Sequence, residues 1–370
     1  MSESSHKLFF RATPFSLRRV RNFYGIRNCH SLITKRPYVF SPLVRRYGFI
    51  SFFTASFVYS FYKYYRQKHA VDRYKENLLK HGIPSDNLKF FLHYLFLPFG
   101  KILSFATLCL LDRHIPYITP VLNRILCSFI DINFSQCQRT SIDDYLTFTD
   151  IFTRSPVKPE LVDSQRMISP CEGVVVSVGR LDPEETENFV MKDIKGADCH
   201  ILDVLGFDEN LLEKVNVKNC IFYAVLYLSP QNIHRFYSPI DFKQLSTTQI
   251  HGSNFVLGKN LYSKQFAQAI CANHRVLVEA KTSFGKFLMV MVGTQNVSVI
   301  QMSKEEKKYV NSFDFTIKSK KNIDIEFKKG EEMGYFLLGS TIIMFFEAPR
   351  SFEFSIKPGD QLSLFQPIQN

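Results

Sequence analysis

The residues best placed to do chemistry are one serine, one histidine and one glutamate, each beside an apolar run. Ser340 follows Gly339 inside the apolar segment 336–346. Glycine lacks a Cβ, so a serine next to it is able to approach a backbone carbonyl closely. His234 follows a Ser-Pro turn, and Glu172 lies in Ser-Pro-Cys-Glu-Gly. Each segment by itself is weak evidence, because most such residues have structural roles.

Together, in this order and spacing, the segments resemble the proenzymes of the phosphatidylserine decarboxylase family, in its mitochondrial branch. The Leu-Gly-Ser-Thr sequence at 338–341 matches the self-cleavage motif of that branch. Further matching stretches are Asp150–Arg154, Lys195–Gly196, Val292–Val297 and Lys329–Gly334. The resemblance runs from about residue 90 to the C-terminus. It is specific, because several independent segments recur in one order.

The resemblance implies a decarboxylase that converts phosphatidylserine to phosphatidylethanolamine and CO₂ after cutting its own chain. Ser340 would attack the carbonyl of Gly339, and after cleavage it would become a covalent pyruvoyl cofactor. The β-chain would be 1–339, less any leader, and the α-chain 340–370. A ketone that condenses with the substrate amine is an electron sink for the carbanion left by loss of CO₂. His234 is the candidate proton donor or base, because histidine titrates near neutral pH.

Two residues depart from the family pattern at the self-cleavage relay, which resembles a carboxylate–histidine–serine triad. The family carboxylate is the Asp of Pro-x-Asp-Gly, and Glu172 stands at that position here. The family base is the second histidine of His-x-x-His-x-Pro, and Tyr237 stands there. With a pKa of about 10, tyrosine is a poor general base at neutral pH. His234, His251 or His274 remain alternatives for the base.

Two functions of different classes therefore stay open. The Leu-Gly-Ser-Thr motif favours an active decarboxylase. Glu172 and Tyr237 favour a non-catalytic homologue that binds phosphatidylserine or acts as a structural membrane protein. With either function, phosphatidylserine and membrane lipids are the expected partners. Whether the chain forms a homodimer is not determined by the sequence. No metal site or nucleic-acid partner is expected, because the chain has no CxxC pair, Walker A, GxGxxG or HExxH motif and its positive charge is not spread evenly.

The positive charge is concentrated near the N-terminus. Residues 1–46 contain ten Lys and Arg and one acid, which is +9 of the chain's +12. This Arg-rich, acid-poor composition is typical of a mitochondrial transit peptide, with a basic arm as the alternative. Residues 47–62 carry no charge and would form a helix about 24 Å long, flanked by Lys and Arg. We therefore predict one transmembrane anchor over 47–66, with a buried core helix as the alternative.

These segments predict the mitochondrial inner membrane as the location. The family resemblance further suggests that the catalytic domain faces the intermembrane space.

The hydropathy pattern predicts an α+β fold in two parts. Between 67 and 164, apolar stretches such as 90–111 predict short helices on a membrane surface or on the protein's own core. From 165 to 370, β-branched and aromatic runs between turn residues predict strands. The clearest runs are Gly173–Gly179, Ile221–Leu228, Val276–Ala280, Phe287–Gly293 and Thr341–Phe346. A helical, membrane-associated N-terminal region followed by a β-rich catalytic domain is expected.

Overall fold

A computed structural model of the chain describes residues 111–159, 166–181, 189–195, 197–206, 208, 211, 219–252, 263–294, 299–306, 308–310, 319–337 and 340–370. The helices in this part are α1 (Ile118–Ile130), α2 (Phe148–Phe152), α3 (Ile201–Leu205) and α4 (Ser263–Ala272), with a 3₁₀ helix at Ile142–Asp144. The strands are β1 (Gly173–Leu181), β2 (Val190–Met191), β3 (Cys199–His200), β4 (Asn219–Leu228), β5 (Arg235–Tyr237), β6 (Phe242–Ile250), β7 (Arg275–Lys281), β8 (Lys286–Gly293), β9 (Val299–Met302), β10 (Lys308–Val310), β11 (Ser319–Phe327), β12 (Glu332–Phe336), β13 (Ser340–Pro349) and β14 (Gln361–Leu362).

Eight strands form one large antiparallel sheet in the order β11-β6-β7-β8-β13-β4-β1-β14. Strand β13 lies inside this sheet and is paired on both sides. Its first residue, Ser340, lies opposite Leu228 of β4 and opposite Gly293 of β8. Pairing on both sides fixes the backbone of a strand, so Ser340 begins one of the most constrained segments of the fold.

The five strands predicted from apolar runs are all present, as β1, β4, β7, β8 and β13. Each is longer than its apolar run by one to three residues at one end or at both. The extra residues pair with neighbouring strands, and composition alone does not show that pairing. The prediction of a β-rich body is confirmed.

Both faces of the large sheet are covered, which explains why its strands are apolar on both sides. On one face Ile342 of β13 belongs to a core cluster with Phe236 and Phe336 of a second sheet, whose order is β10-β9-β12-β5. On the other face Ile343 belongs to a cluster with Phe266 of α4. Neighbouring residues of one strand therefore enter two separate cores.

The predicted helical region 67–164 is described only from residue 111 to residue 159, where α1, the 3₁₀ helix and α2 are its helices. Within the described part of the chain, no helix has the length and apolar character needed to cross a membrane. The basic segment 1–46 and the predicted anchor 47–66 lie outside the described residues.

Candidate active site

Ser340 has a buried hydroxyl to which none of the described residues is hydrogen-bonded. Its side chain is 1% exposed, and its Oγ has no hydrogen-bond partner among the described residues. Strand periodicity places the side chain on the same face as Ile342, toward the four-stranded sheet. Gly339, the predicted cleavage residue, is not among the described residues. Buried polar atoms without partners are rare in folded proteins, so Ser340 is a candidate for chemistry.

The strand end beside Ser340 is held by the segment that leads into β7. Gly293, its neighbour on β8, donates its N–H to the carbonyl of His274 at 2.8 Å. The side-chain Nδ2 of Asn273 donates to the carbonyl of Gly293 at 2.9 Å. These two bonds fix the end of β8, and through the strand pairing they fix Ser340.

The two histidines considered as alternative bases lie farther along the sheet. The ring of His274 is 3.0 Å from the side chain of Gln249, and it stacks on His251 with ring centres 5.9 Å apart. His274 immediately precedes β7, which is two strands from β13. Neither ring is hydrogen-bonded to Ser340, whose Oγ has no partner among the described residues.

His234 is fully buried, and its ring is oriented by a backbone carbonyl. It precedes β5, where its carbonyl accepts from the N–H of Phe336 at 2.9 Å and its N–H donates to Phe152 at 3.2 Å. Its ring packs against Phe152 with centres 4.6 Å apart. Its Nδ1 lies 2.8 Å from the carbonyl oxygen of Asn232. Because a carbonyl only accepts, Nδ1 carries the hydrogen and Nε2 keeps its lone pair.

The lone pair of His234 Nε2 is unused, since that buried atom has no hydrogen-bond partner within the described structure. The pKa of His234 is lowered to about 3, chiefly by burial; the bond to Asn232 opposes this shift, and the nearby guanidinium of Arg154 adds to it. The ring is therefore neutral at pH 7, which is the protonation state of a general base.

Glu172, the predicted relay carboxylate, binds the turn that carries His234. Its Oε1 accepts from the side-chain Nδ2 of Asn232 at 2.8 Å. Its Oε2 accepts from the backbone N–H of Ile233 at 2.9 Å. Both carboxylate oxygens are thus engaged with the two residues that precede His234.

Tyr237, at the predicted relay-base position, lies in a different environment. Its ring clusters with Ile168 and Phe365, and the Nζ of Lys158 lies 5.2 Å from the ring centre. Its hydroxyl is buried without a hydrogen-bond partner in the described part of the chain, and that includes Glu172. Burial raises the pKa of Tyr237, and the Glu332 carboxylate raises it further. The phenol therefore stays protonated at neutral pH and is not available as a base.

Two further residues of the site were not singled out from the sequence. Asn232 connects Glu172 to the ring of His234, and Arg154 donates to the carbonyl of Gln231 at 2.6 Å. The sequence signal for Asn232 was its place in a Ser-Pro-Gln-Asn turn. Asn is common in turns because its side chain can hydrogen-bond the turn's own backbone. Arg154 ends the matching stretch Asp150–Arg154, but its role was not visible there, because its partner is 77 residues away.

The comparison with known families decides what this site belongs to. A family model described as phosphatidylserine decarboxylase matches residues 146–368, which is more than half of the chain. The chain belongs to the phosphatidylserine decarboxylase family. The matched region contains Glu172, His234, Tyr237 and Ser340, and it covers the eight-stranded and four-stranded sheets.

Individual relatives agree with the family model. A protein of Toxoplasma gondii named phosphatidylserine decarboxylase proenzyme 1, mitochondrial, is 28% identical over 293 residues, covering 75% of this chain and 66% of that protein. A Campylobacter jejuni proenzyme of the family is 30% identical, covering 61% of this chain and 82% of its own. A Plasmodium falciparum proenzyme is 26% identical, covering 90% and 91%. The chain thus spans just under two thirds of the Toxoplasma protein and most of the other two.

The buried neutral ring of His234 predicts a specific pH dependence of stability. Its pKa is lowered from about 6.5 in the unfolded chain to about 3 when folded, so only the unfolded state binds a proton between these values. The ring therefore destabilises the fold as the pH falls. We expect this contribution to amount to about 3 kcal/mol between pH 6.5 and pH 4.

The measurement is urea unfolding of an uncleavable Ser340→Ala chain, with and without His234→Gln. As the pH falls, the unfolding free energy of the chain with His234 should decrease relative to that of the Gln variant. Loss of the ring's contacts gives an offset that does not change with pH. A difference that stays constant from pH 6.5 to pH 4 would contradict the buried neutral state.

Proposed function

We propose that this protein converts phosphatidylserine to phosphatidylethanolamine and CO₂, using a pyruvoyl group made from Ser340. One observation carries the proposal. In a chain of this family, Ser340 presents a buried hydroxyl, unbonded within the described structure, at the start of a strand paired on both sides. The relatives' naming as proenzymes supports processing into a β-chain that ends at Gly339 and an α-chain of residues 340–370.

Self-cleavage in this proposal needs a base and one water. His234 Nε2 takes the proton of Ser340 Oγ, which attacks the carbonyl carbon of Gly339. The peptide C–N bond breaks and an ester C–O bond forms. Loss of the Cα proton of residue 340 breaks the ester's Cβ–O bond, which leaves Gly339 as a carboxylate and residue 340 as dehydroalanine. One water then releases the nitrogen of residue 340 as ammonia and leaves a ketone.

The residues present fit a reacting group at this position. Ser340 Oγ and His234 Nε2 are both buried, and both lack partners among the described residues. Strand periodicity directs Ser340 and Phe236 into the same core between the two sheets, and His234 is two residues from Phe236. No hydrogen bond joins these two atoms in the described structure, so the proposed proton transfer requires the His234 ring and the Ser340 hydroxyl to approach each other.

In decarboxylation the pyruvoyl ketone supplies an electron sink for the charge left by loss of CO₂. His234 then has the second task of giving a proton to the substrate Cα. The buried ring is neutral without substrate, and an anionic substrate group close to it favours its protonated form. The same nitrogen, Nε2, serves as base in the first reaction and as acid in the second.

The location proposed for the protein is the mitochondrial inner membrane, with the catalytic domain facing the intermembrane space. The printed name of the Toxoplasma relative supports the mitochondrion, and so does the composition of residues 1–46. The uncharged segment inside 47–66 supports an anchor. Helix α1 adds an exposed apolar side, with Phe129 83% exposed and Ile118 59% exposed, which suits a lipid surface.

A non-catalytic homologue that binds phosphatidylserine is the second candidate. It is favoured by one observation, the absence of a hydrogen bond between Glu172 and Tyr237 among the described contacts. In such a chain Ser340 remains an ordinary serine. Cleavage would then begin only after a base was restored, for example by Tyr237→His.

The experiment that separates the two candidates is the intact mass of the purified full chain. An active decarboxylase should yield a 31-residue fragment that begins at position 340. That fragment should be lighter by one ammonia than the same peptide beginning with serine, because residue 340 loses its Oγ to the Gly339 carboxylate and exchanges its nitrogen for the oxygen of one water. Its partner chain should end in the free carboxylate of Gly339. A chain that stays whole would support the non-catalytic homologue.

A further inference from the structure

We propose that Glu172 and Arg154 are positioning residues that hold the turn Ser229–His234, and that His234 rather than Tyr237 serves Ser340 in self-cleavage. This inference rests on the proposed function and specifies how its site is built. The relay it describes runs from Glu172 through Asn232 to His234. Tyr237 has no part in it.

Glu172 satisfies the donors of the turn. Its two oxygens accept from Asn232 Nδ2 at 2.8 Å and from the N–H of Ile233 at 2.9 Å. Hydrogen bonds to a carboxylate are stronger than those between neutral groups. Since both partners directly precede His234, the carboxylate fixes the backbone from which that side chain projects.

Arg154 satisfies the acceptors of the same turn. Its Nη2 donates to the carbonyl of Gln231 at 2.6 Å, and its Nη1 donates to the carbonyl of Asn232 at 3.4 Å. The side chain is 1% exposed, and no carboxylate is paired with it among the ion pairs of the described residues. A buried guanidinium is costly unless its donors are used. Here backbone carbonyls accept from Nη1 and Nη2, while Nε has no partner among the described residues, and the turn lies between two opposite charges.

Asn232 transmits this restraint to the ring. Its Oδ1 accepts from the N–H of Ser229 at 2.8 Å, its own N–H donates to the carbonyl of Ser229 at 2.9 Å, and its Nδ2 donates to Glu172. With these groups engaged, its carbonyl is held 2.8 Å from His234 Nδ1. That contact selects the tautomer in which Nε2 is free to accept a proton.

The length of the side chain at position 172 agrees with this role. Aspartate is one methylene shorter than glutamate, and the family resemblance places an aspartate here. Glu172 uses its longer side chain to reach both donors of the turn at once. Tyr237 lies with Ile168 and Phe365, and its hydroxyl accepts from and donates to none of the described residues. The two substitutions are therefore independent changes, not a modified carboxylate–base pair.

The test compares three full chains by their first-order rate of self-cleavage. Glu172→Gln should slow cleavage roughly 10- to 100-fold. It removes the charge, and its side-chain NH₂ group, itself a donor, then faces one of the two donors of the turn. Tyr237→Phe keeps the ring and removes only the unbonded hydroxyl, so it should cleave within about threefold of the natural chain. Glu172→Asp should cleave at an intermediate rate, since the charge is kept and only reach is lost.

A second measurement reads the ring itself, in a Ser340→Ala chain labelled with ¹⁵N in its histidine rings. His234, assigned with His234→Gln, should show a protonated Nδ1 and an unprotonated Nε2. Adding Glu172→Gln should mix the two tautomers, and adding Tyr237→Phe should leave the signals unchanged. A residue that only stabilised the fold would change the melting temperature without changing the tautomer.

The outcomes separate this inference from the proposed function. If the natural chain cleaves and Tyr237→Phe abolishes cleavage, the inference is wrong and the function stands. If the natural chain does not cleave, the proposed function is wrong, and the ring signals decide the positioning role by themselves. Ring signals that are unchanged by Glu172→Gln overturn the inference in either case.

Discussion

Ser340→Ala is expected to abolish both processing and decarboxylation. The chain should show no 340–370 fragment, and its activity on phosphatidylserine should fall to background. The physical reason is that the Ser340 oxygen is both the nucleophile of cleavage and the atom whose loss creates the ketone, so no other group substitutes for it. Gel electrophoresis and intact mass measure the loss of processing, and release of CO₂ from carboxyl-labelled substrate measures the loss of decarboxylation.

The control for Ser340→Ala is a second buried serine of the same sheet. Ser177 of β1 is 3% exposed, and its Oγ donates to the carbonyl of Lys192 at 3.0 Å. Ser177→Ala loses that bond but should cleave at a normal rate, since β1 lies two strands from β13. Ser340→Cys should cleave slowly and give no pyruvoyl group. A Ser340→Ala chain that still releases CO₂ from the lipid would exclude the proposed cofactor.

His234→Ala is expected to have the second largest effect. Loss of a positioned acid–base group costs roughly 10²- to 10⁴-fold in rate, and His234 is assigned to both reactions. Cleavage should slow by about that factor, and any chain that does become cleaved should fail to decarboxylate. The two rates are measured separately, because processed protein can be assayed after the uncleaved remainder is removed.

A matched histidine distinguishes this effect from simple loss of a buried ring. His274 is as buried as His234, but its ring contacts Gln249 and lies two strands from β13. His274→Gln should lower the stability and leave both reactions close to normal. If His274→Gln stops cleavage while His234→Ala does not, the base has been assigned to the wrong histidine. A cleaved and fully active His234→Ala protein would likewise remove His234 as the proton donor.

Local features of the sequence determined much of this fold. Runs such as 221–228 and 287–293 are apolar at every position, which happens when a strand is covered on both faces, and both became central strands. The position of Ser340 at the start of such a run could also be predicted from the sequence, because the motif and the apolar residues after it are contiguous. The family could be recognised for the same reason, since its motifs are short segments in a fixed order.

The partners of the site residues were decided only by the tertiary structure. Glu172 and Asn232 are 60 residues apart, and Arg154 and Gln231 are 77 apart, so neither contact has a signature within a sequence window. Position in a motif suggested that Glu172 serves Tyr237. Packing instead brings the Glu172 carboxylate to the turn before His234 and puts the tyrosine ring against Phe365. Residue types and strand periods are local properties, whereas hydrogen-bond partners depend on how two sheets and a turn meet in space.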